Sequence, residues 1–426
     1  MEKTAFALVD CNNFFVSCER VFAPQLQQKP VVVLSNNDGC IVSRSAEVKK
    51  AGIPMAAPYF KVKSQLKKLK ATALSSNYTL YSDMSKRVMD TLRSVCSSVE
   101  VYSVDEAFLL IDSVPPDKYT EYAKMLRDKV YQWTGIPVSV GIGFTKTLAK
   151  LANEIAKKDL DLNGVLDLTS LSEEKSDAFM AKVSLQDVWG IGWGFARRFN
   201  EEGIESALDF KNLDPQRVRE FTNVMGYRTS LELRGIECFS LNNSPGIRKG
   251  IASTRSFGRP VFKYTELEES VVTHVTNACE KLRRQGSFAS QISVFIKTGK
   301  HTRKAYYYKN GTSKRLQAPS SETEDFVKAA LECLKEIYIP GARYKKSGVY
   351  LSGINSLDSF QMNLWANPIT EGRTKIKTIT VDEINRTWGS GTIKLASSGI
   401  SRSWQMKRNH LSSRYTTNWD ELPKVK

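Results

Sequence analysis

Residues 101–111 read VYSVDEAFLLI, with two adjacent carboxylates, Asp105 and Glu106, set among β-branched, aromatic and aliphatic residues. Such residues suit strands, and a strand sends neighbouring side chains to opposite faces. Asp105 and Glu106 can serve one site only if the pleat breaks there, at a bulge or a tight turn. The stretch therefore predicts strand, break and strand, with two acids at the break. A third acid sits in a similar place, because the apolar run of residues 5–9 ends at Asp10. A buried strand then delivers a carboxylate at its end. Oxygen ligands of this kind suit Mg²⁺, a hard cation. Two such ions about 3.5–4 Å apart stabilise the attacking and leaving oxygens of a phosphoryl transfer. On spacing alone a plainer reading stays open, in which Asp10 caps the next helix and Asp105 with Glu106 forms a solvated turn.

Further strands lie outward from this stretch. Residues 31–34 and 41–42 are short apolar runs around the turn sequence NNDG at 36–39. Residues 138–144 form another, and a helix begins near Lys146. Strands mixed with helices predict an α/β or α+β chain. The segment TKTLAKLANEIAKK, residues 145–158, places Lys146, Lys150 and Lys157 within about 40° on a helical wheel. Leu148, Leu151, Ala152 and Ile155 cluster on the other side. A lysine stripe of this form suits phosphates, although an ordinary amphipathic surface helix has the same pattern. Trp189, Gly190, Ile191 and Gly192 resemble a helix-hairpin-helix turn, whose glycines offer backbone N–H groups to a DNA phosphate without reading bases. Neither GxxxxGK[ST] nor GxGxxG occurs, which argues against P-loop and Rossmann enzymes.

Charge divides the 426 residues. Residues 1–243 carry 31 Lys and Arg against 30 Asp and Glu, and residues 244–426 carry 31 against 15. A neutral first half and a cationic second half imply a polyanionic partner, nucleic acid before membrane. A solubilising surface is the plainer alternative. The boundary falls in FSLNNSPGIRKG, residues 239–250, which reads as an interdomain linker. Beyond it, the alternation over 291–297, an apolar run at 349–351 and apolar periodicity near 271–282 and 325–337 predict a small α/β unit. After Ser356 the chain reads as an extended tail. Seven scattered cysteines without a C-x-x-C pair predict reduced thiols, and three histidines lower the expectation of His-ligated metals. No apolar stretch is long enough to span a bilayer, so the expected location is the cytoplasm, with no membrane partner.

Taken together, LVDCNNFFVSCE (8–19), YSVDEAF (102–108) and TKTLAKLAN (145–153) resemble, in order and spacing, the active-site blocks of Y-family translesion DNA polymerases. VVVLSNNDGC (31–40), VWGIG (188–192), WQMKR (404–408) and RYTT (414–417) are similar to its UmuC-type branch. The resemblance implies a right-hand polymerase. Its palm would comprise 1–22 and 79–168, its fingers 23–78 and its helical thumb 169–238. A linker at 239–250 would lead to a little finger at 251–356 and a tail at 357–426. It implies DNA synthesis across damaged bases in the SOS response, from dNTPs on primer-template DNA. Asp10, Asp105 and Glu106 would be catalytic and would hold two Mg²⁺, with the backbone carbonyl of Cys11 as a further ligand. Phe15, Ser43, Lys49 and Lys157 would bind the nucleotide, Phe15 beneath its sugar. Cys40 and Val42 would roof the base pair. Lys146, Lys150, Gly190 and Gly192 would meet DNA. Ala46 and Lys49 depart from the tyrosine and arginine of many members, and lysine cannot make arginine's bidentate contact.

Gln361, Met362, Asn363, Leu364 and Trp365 resemble a sliding-clamp motif, with Gln361, Leu364 and Trp365 as its anchors. Trp388, Trp404 and Trp419 in the tail imply further contacts, by resemblance with a UmuD′-like dimer and a RecA-like filament. Deleting residues 365–426 is expected to spare basal synthesis and to lose partner-dependent bypass. A two-metal nuclease or a cyclase would use similar carboxylates, but neither explains both the lysine stripe and the basic half. A stand-alone polymerase IV-like enzyme and a non-catalytic recruiting factor remain the alternatives.

Overall fold

The computed structural model describes residues 4–242, 246–299, 307–356, 368–400 and 402–422, with backbone alone over 368–375. The chain separates into two compact units. One comprises Met1–Ser35, Gly39–Ser244 and His410–Lys426, and the other Asn36–Asp38 and Pro245–Asn409. The break at Ser244 lies inside the expected linker. Its first residues are not free, however. The backbone N–H groups of Cys238 and Phe239 donate to the buried Glu232 carboxylate, at 3.0 and 2.9 Å. The Ser240 carbonyl accepts from Lys146.

Strands of the first unit are β1 (Phe6–Cys11), β2 (Val31–Leu34), β3 (Ile41–Arg44), β4 (Thr72–Ser75), β5 (Val99–Val101), β6 (Glu106–Leu110), β7 (Val138–Gly143) and β8 (Val165–Asp167). They form a five-stranded sheet in the order β5-β6-β1-β7-β8 and a small sheet in the order β3-β2-β4. β1 is central and wholly buried, as its run of Phe6, Ala7, Leu8 and Val9 requires. It pairs antiparallel with β6 and with β7, and Asp10 falls opposite Glu106.

The helix Lys146–Lys158 packs against β7 at very short range. A Cβ on Gly141 would lie 2.1 Å from the Asn153 backbone nitrogen, and one on Gly143 2.6 Å from Leu148 Cβ. Only glycine allows that approach. Asn153 then pins the helix, donating to the carbonyls of Ser139 at 2.7 Å and Leu8 at 3.2 Å. At the other end of the helix, Thr147 donates through both N–H and hydroxyl to Glu232. The lysines of this helix are therefore held at fixed heights above the sheet.

In the second unit β9 (Ile251–Val261), β10 (Ser287–Thr298), β11 (Lys309–Ser320) and β12 (Tyr344–Ser356) form an antiparallel sheet ordered β11-β10-β12-β9. The helices Tyr264–Arg284 and Thr323–Ile337 cover one face with an apolar core. The expected extended tail is corrected in two respects. It carries the helix Pro368–Trp388, and Trp404 is 4% exposed in the second unit's core. Trp388 and Trp419 are exposed, as expected.

Candidate active site

The predicted break in the pleat is present. β5 ends at Val101, the chain turns through residues 102–105, and β6 starts at Glu106. Tyr102 and Ser103 both donate their N–H to the Glu106 carbonyl, at 3.1 Å each. The Ser103 hydroxyl organises the turn. It accepts from the N–H groups of Asp105 and Glu106 and donates to the Asp105 carboxylate at 2.5 Å. The Cys11 N–H donates to the Asp105 carbonyl at 2.8 Å, which locks the turn beside the end of β1. Asp10 does not cap the following helix. That helix, Phe14–Phe22, has Asn13 at its N-cap position.

Asp10 and Glu106 stand directly opposite each other on β1 and β6. Burial pushes Asp10 up to about 7, against the pull of Lys157, and its contact with Glu106 adds to the rise. Burial also pushes Glu106 up, but hydrogen bonds from Asp10 and Lys150 more than offset this and hold it below the usual carboxylate range. With the proton displaced, two desolvated carboxylates so placed form an all-oxygen seat for a hard cation. Asp105 is the neighbouring acid, held at its turn by Ser103. Among the described residues no three acid, His or Cys side chains already converge. The donor set fits a divalent cation in chemistry, and the Ser103 hydroxyl engages only one of the two Asp105 carboxylate oxygens.

The lysine stripe is present, and each of its ammoniums closes on an acid. Lys157 lies 2.6 Å from Asp10, Lys150 2.6 Å from Glu106 and Lys146 2.5 Å from Glu100. Lys146 is 3% exposed and also donates to the Ser240 carbonyl. This corrects the expectation of a DNA contact there, because the ammonium is an internal tie. Lys150 and Lys157 sit partly open above the carboxylates. Lys49 and Ser43 come from the small sheet and the short helix after it. Burial lowers Lys49, and the charges of Arg44 and Lys157 lower it further. A third cation, Arg44, thus shares the neighbourhood of Lys49 and Lys157. Its buried Nε lacks a hydrogen bond. Sequence reading missed it, since an arginine on a short strand gives no periodic signal. Ser43 is buried, with its hydroxyl 3.4 Å from the Asn13 carbonyl.

Phe14 is core and Phe15 is not: Phe14 is 3% exposed, while Phe15 is half-buried at the surface of the same cluster. Phe15 stacks on Tyr81 with centroids 4.5 Å apart and planes 14° apart, and Tyr78 meets it edge-on at 6.1 Å. Val42 packs against this cluster. Gly190 has φ +85°, a backbone region that favours glycine, and Gly192 stands at the N-cap of the helix Trp193–Asn200. The motif Gln361–Trp365 lies outside the described residues.

Comparison with known proteins follows this geometry. The impB/mucB/samB family profile matches residues 9–154 and its C-terminal domain profile residues 248–364, while a domain of unknown function matches residues 379–425. Protein UmuC of Salmonella typhimurium is 40% identical over 99% of this chain and 100% of its own length. Protein SamB of the same organism is 39% identical over 99% of each chain. Among solved structures, a Y-family DNA polymerase chimera matches in fold with a TM-score of 0.65, at 21% identity over 83% of this chain and 99% of that one. The chain belongs to the impB/mucB/samB family of UmuC-type, Y-family translesion DNA polymerases. Its activity is DNA-directed DNA synthesis of the kind that underlies SOS mutagenesis, and dependence on a divalent metal goes with the family.

Proposed function

We propose that this chain adds dNTPs to a primer 3′ end opposite damaged template bases by two-metal nucleotidyl transfer. The observation that carries the mechanism is the Asp10 and Glu106 pair, brought together at the ends of adjacent strands, with Asp105 on the turn that leads into Glu106. Asp10, Asp105, Glu106 and the Cys11 carbonyl would hold the cations. Charge neutralisation at the attacking and leaving oxygens is the chemistry that two Mg²⁺ supply when bound. Lys157 and Lys49, with Arg44 nearby, would receive the triphosphate as point charges. Ser43 would complete that contact. Lys150 would hold Glu106 ionised, and Phe15 would lie beneath the sugar. Glycines 190 and 192 and the second unit's sheet would meet the DNA backbone.

The domain limits expected from the sequence serve as this reading's palm, fingers, thumb, little finger and tail. Among the described residues no helix is long and apolar enough to cross a membrane. The work would be done in the cytoplasm, beside a UmuD′-like dimer and a RecA-like filament. Gln361, Leu364 and Trp365 would anchor a sliding clamp through buried aliphatic and aromatic contacts. Replacing Gln361 and Leu364 by alanine should then abolish clamp stimulation and leave basal synthesis intact.

The deciding experiment is primer extension on undamaged and abasic templates with Mg²⁺ and dNTPs, with and without those partner proteins. Template-dependent addition that stops on chelation is expected. No addition under any of these conditions would refute the reading.

A further inference from the structure

Residues 410–415 return to the first unit and lie against the elements that carry the Phe15 stack. Leu411 forms a parallel bridge with Ser75, the last residue of β4, which is an edge strand. Around it the Ser75 N–H donates to the His410 carbonyl at 2.9 Å, and the His410 N–H donates to the Ser75 hydroxyl at 3.0 Å. Asn77 stands at the N-cap of the helix Tyr78–Arg93. Its side-chain amide donates to the Ser412 carbonyl, the Ser412 hydroxyl and the Ser413 carbonyl, at 3.2, 3.0 and 3.1 Å. Tyr415 stacks on Phe22, the last residue of the helix that begins with Phe14 and Phe15, with centroids 5.0 Å apart.

The decisive contact is at Glu19. Its carboxylate is 1% exposed, and one oxygen accepts both the Tyr81 hydroxyl at 2.7 Å and the Ser412 hydroxyl at 2.9 Å. Tyr81 is the ring on which Phe15 stacks. A hydroxyl of the C-terminal segment and the hydroxyl of the stacked ring thus share one buried acceptor. A buried carboxylate with a donor removed is costly, so Ser412 and Tyr81 are coupled through the one Glu19 oxygen they share.

We propose that residues 410–415 are a strap that positions the Phe15–Tyr81 stack, so that selection of the nucleotide's sugar depends on the C-terminal segment. Ser412, Glu19 and Asn77 are positioning residues, since they act through Tyr81. The proposal rests on the reading of Phe15 as the residue beneath the sugar. It gives the last part of the domain of unknown function a task inside the catalytic unit. Deleting residues 365–426 would then loosen sugar selection as well, because it removes the strap.

The test uses the full-length protein with its partner proteins on an undamaged template. Ser412→Ala should lower the preference for dNTP over rNTP and raise KM for dNTP, each by about three- to tenfold, the size of one missing hydrogen bond. The value of kcat should stay within about twofold, because no proposed metal ligand is touched. Ser412→Thr keeps the hydroxyl and should restore both values. In a Phe15→Ala background Ser412→Ala should change sugar preference no further, since the coupled pair is already broken. A purely structural contact would lower the unfolding midpoint and leave sugar preference and KM at wild-type values, and that result overturns the strap. Additive effects in the double variant also overturn it. If Phe15→Ala itself keeps wild-type sugar preference, the reading of Phe15 has failed and the proposal falls with it. If Phe15→Ala loses preference while Ser412→Ala does not, the strap alone has failed.

Discussion

The carboxylate corner of the first unit and the open face of the second unit's sheet both concentrate charge, and they do so in opposite ways. At the corner, Asp10 and Glu106 are each closed on by one ammonium, and burial makes every partner necessary. On the second sheet, Lys309, Lys297 and Lys346 stand in register on three adjacent strands, β11, β10 and β12. Like charges placed directly opposite destabilise a sheet. Lys346 shows the strain, since burial lowers it and the charge of Lys297 lowers it further. A matched corner is built for one chemical event. A row of crowded cations would suit a polyanion, which under the proposed function would complete its electrostatics. Single changes should therefore be catastrophic in the first region and graded in the second.

The largest effect tests the corner. Asp105→Ala or Glu106→Ala should reduce nucleotide addition by at least about a thousandfold, because each removes charge that stabilises the transferring phosphoryl group. Binding to primer-template DNA, measured by fluorescence anisotropy, should persist. Undiminished extension by both variants would remove the two-metal assignment. The second effect tests the row. Replacing Lys297, Lys309 and Lys346 together by alanine should weaken DNA binding roughly thirtyfold at moderate salt. It should also flatten the dependence of log Kd on log salt by about 0.9 for each phosphate that the variant no longer neutralises. Because a like-charge row is relieved, the unfolding midpoint should hold or rise. A lower midpoint with an unchanged salt slope would make the row a structural feature, and the contrast between the two regions would fail.

These regions also differ in how far the sequence disclosed them. The corner was legible because its signals are local. The acidic pair interrupts a strand pattern, Asp10 ends an apolar run, and the lysines repeat at helical spacing. What stayed hidden was the far end of each contact, such as Glu100 for Lys146 and Glu19 with Ser412 for Tyr81, because these partners lie far away in the chain. Gly141 and Gly143 were present in the strand pattern, but their use as a docking surface depends on which helix returns there. In the second unit the buried strands β10 and β12 were legible through their apolar residues. The edge strands β9 and β11 were not, since Arg255, Gly258, Arg259 and Pro260 dilute one pattern and mostly polar residues compose the other. Charge composition marked that unit as basic without locating the row, which needs the register.

A third, smaller effect tests whether the corner's surroundings choose the sugar. Phe15 is half-buried and stacked, whereas Phe14 is fully packed. A flat ring against C2′ leaves no room for a ribose hydroxyl and offers it no hydrogen bond. Phe15→Ala should raise ribonucleotide incorporation at least about tenfold relative to deoxynucleotide, a loss of roughly 1.4 kcal/mol of discrimination. Single-nucleotide incorporation kinetics give the ratio directly. A variant active on dNTPs that still rejects ribonucleotides as the wild type does would place the selection elsewhere.

The last effect, on stability rather than on activity, concerns the cost of crowding cations in the second unit. His274 lies on the helix Tyr264–Arg284 and is 1% exposed. Its Nδ1 is 3.4 Å from the Ser253 hydroxyl, and the Trp404 ring lies 6.3 Å away. Burial lowers its pKa to about 3, and the charges of Arg255 on β9 and Lys346 on β12 push in the same direction. The unfolded chain, with an ordinary histidine near 6.5, takes up a proton that the folded unit refuses. Between those values the unfolded state binds more protons, so stability rises with pH. The stability His274 contributes is complete well above pH 6.5 and is lost as pH falls toward the folded value, the loss amounting to about 1 kcal/mol at pH 6 and about 2 kcal/mol at pH 5. Chemical denaturation of the second unit's transition at pH 7.5, 6 and 5, in the wild type and in His274→Gln, isolates this contribution, since glutamine does not titrate. The wild type should lose more stability than the variant by those amounts. Removing Lys346 should narrow the gap, because one of the repelling charges is gone. Parallel pH curves for the wild type and the glutamine variant would mean that the folded unit admits the proton, and that its cations crowd each other less than their register implies.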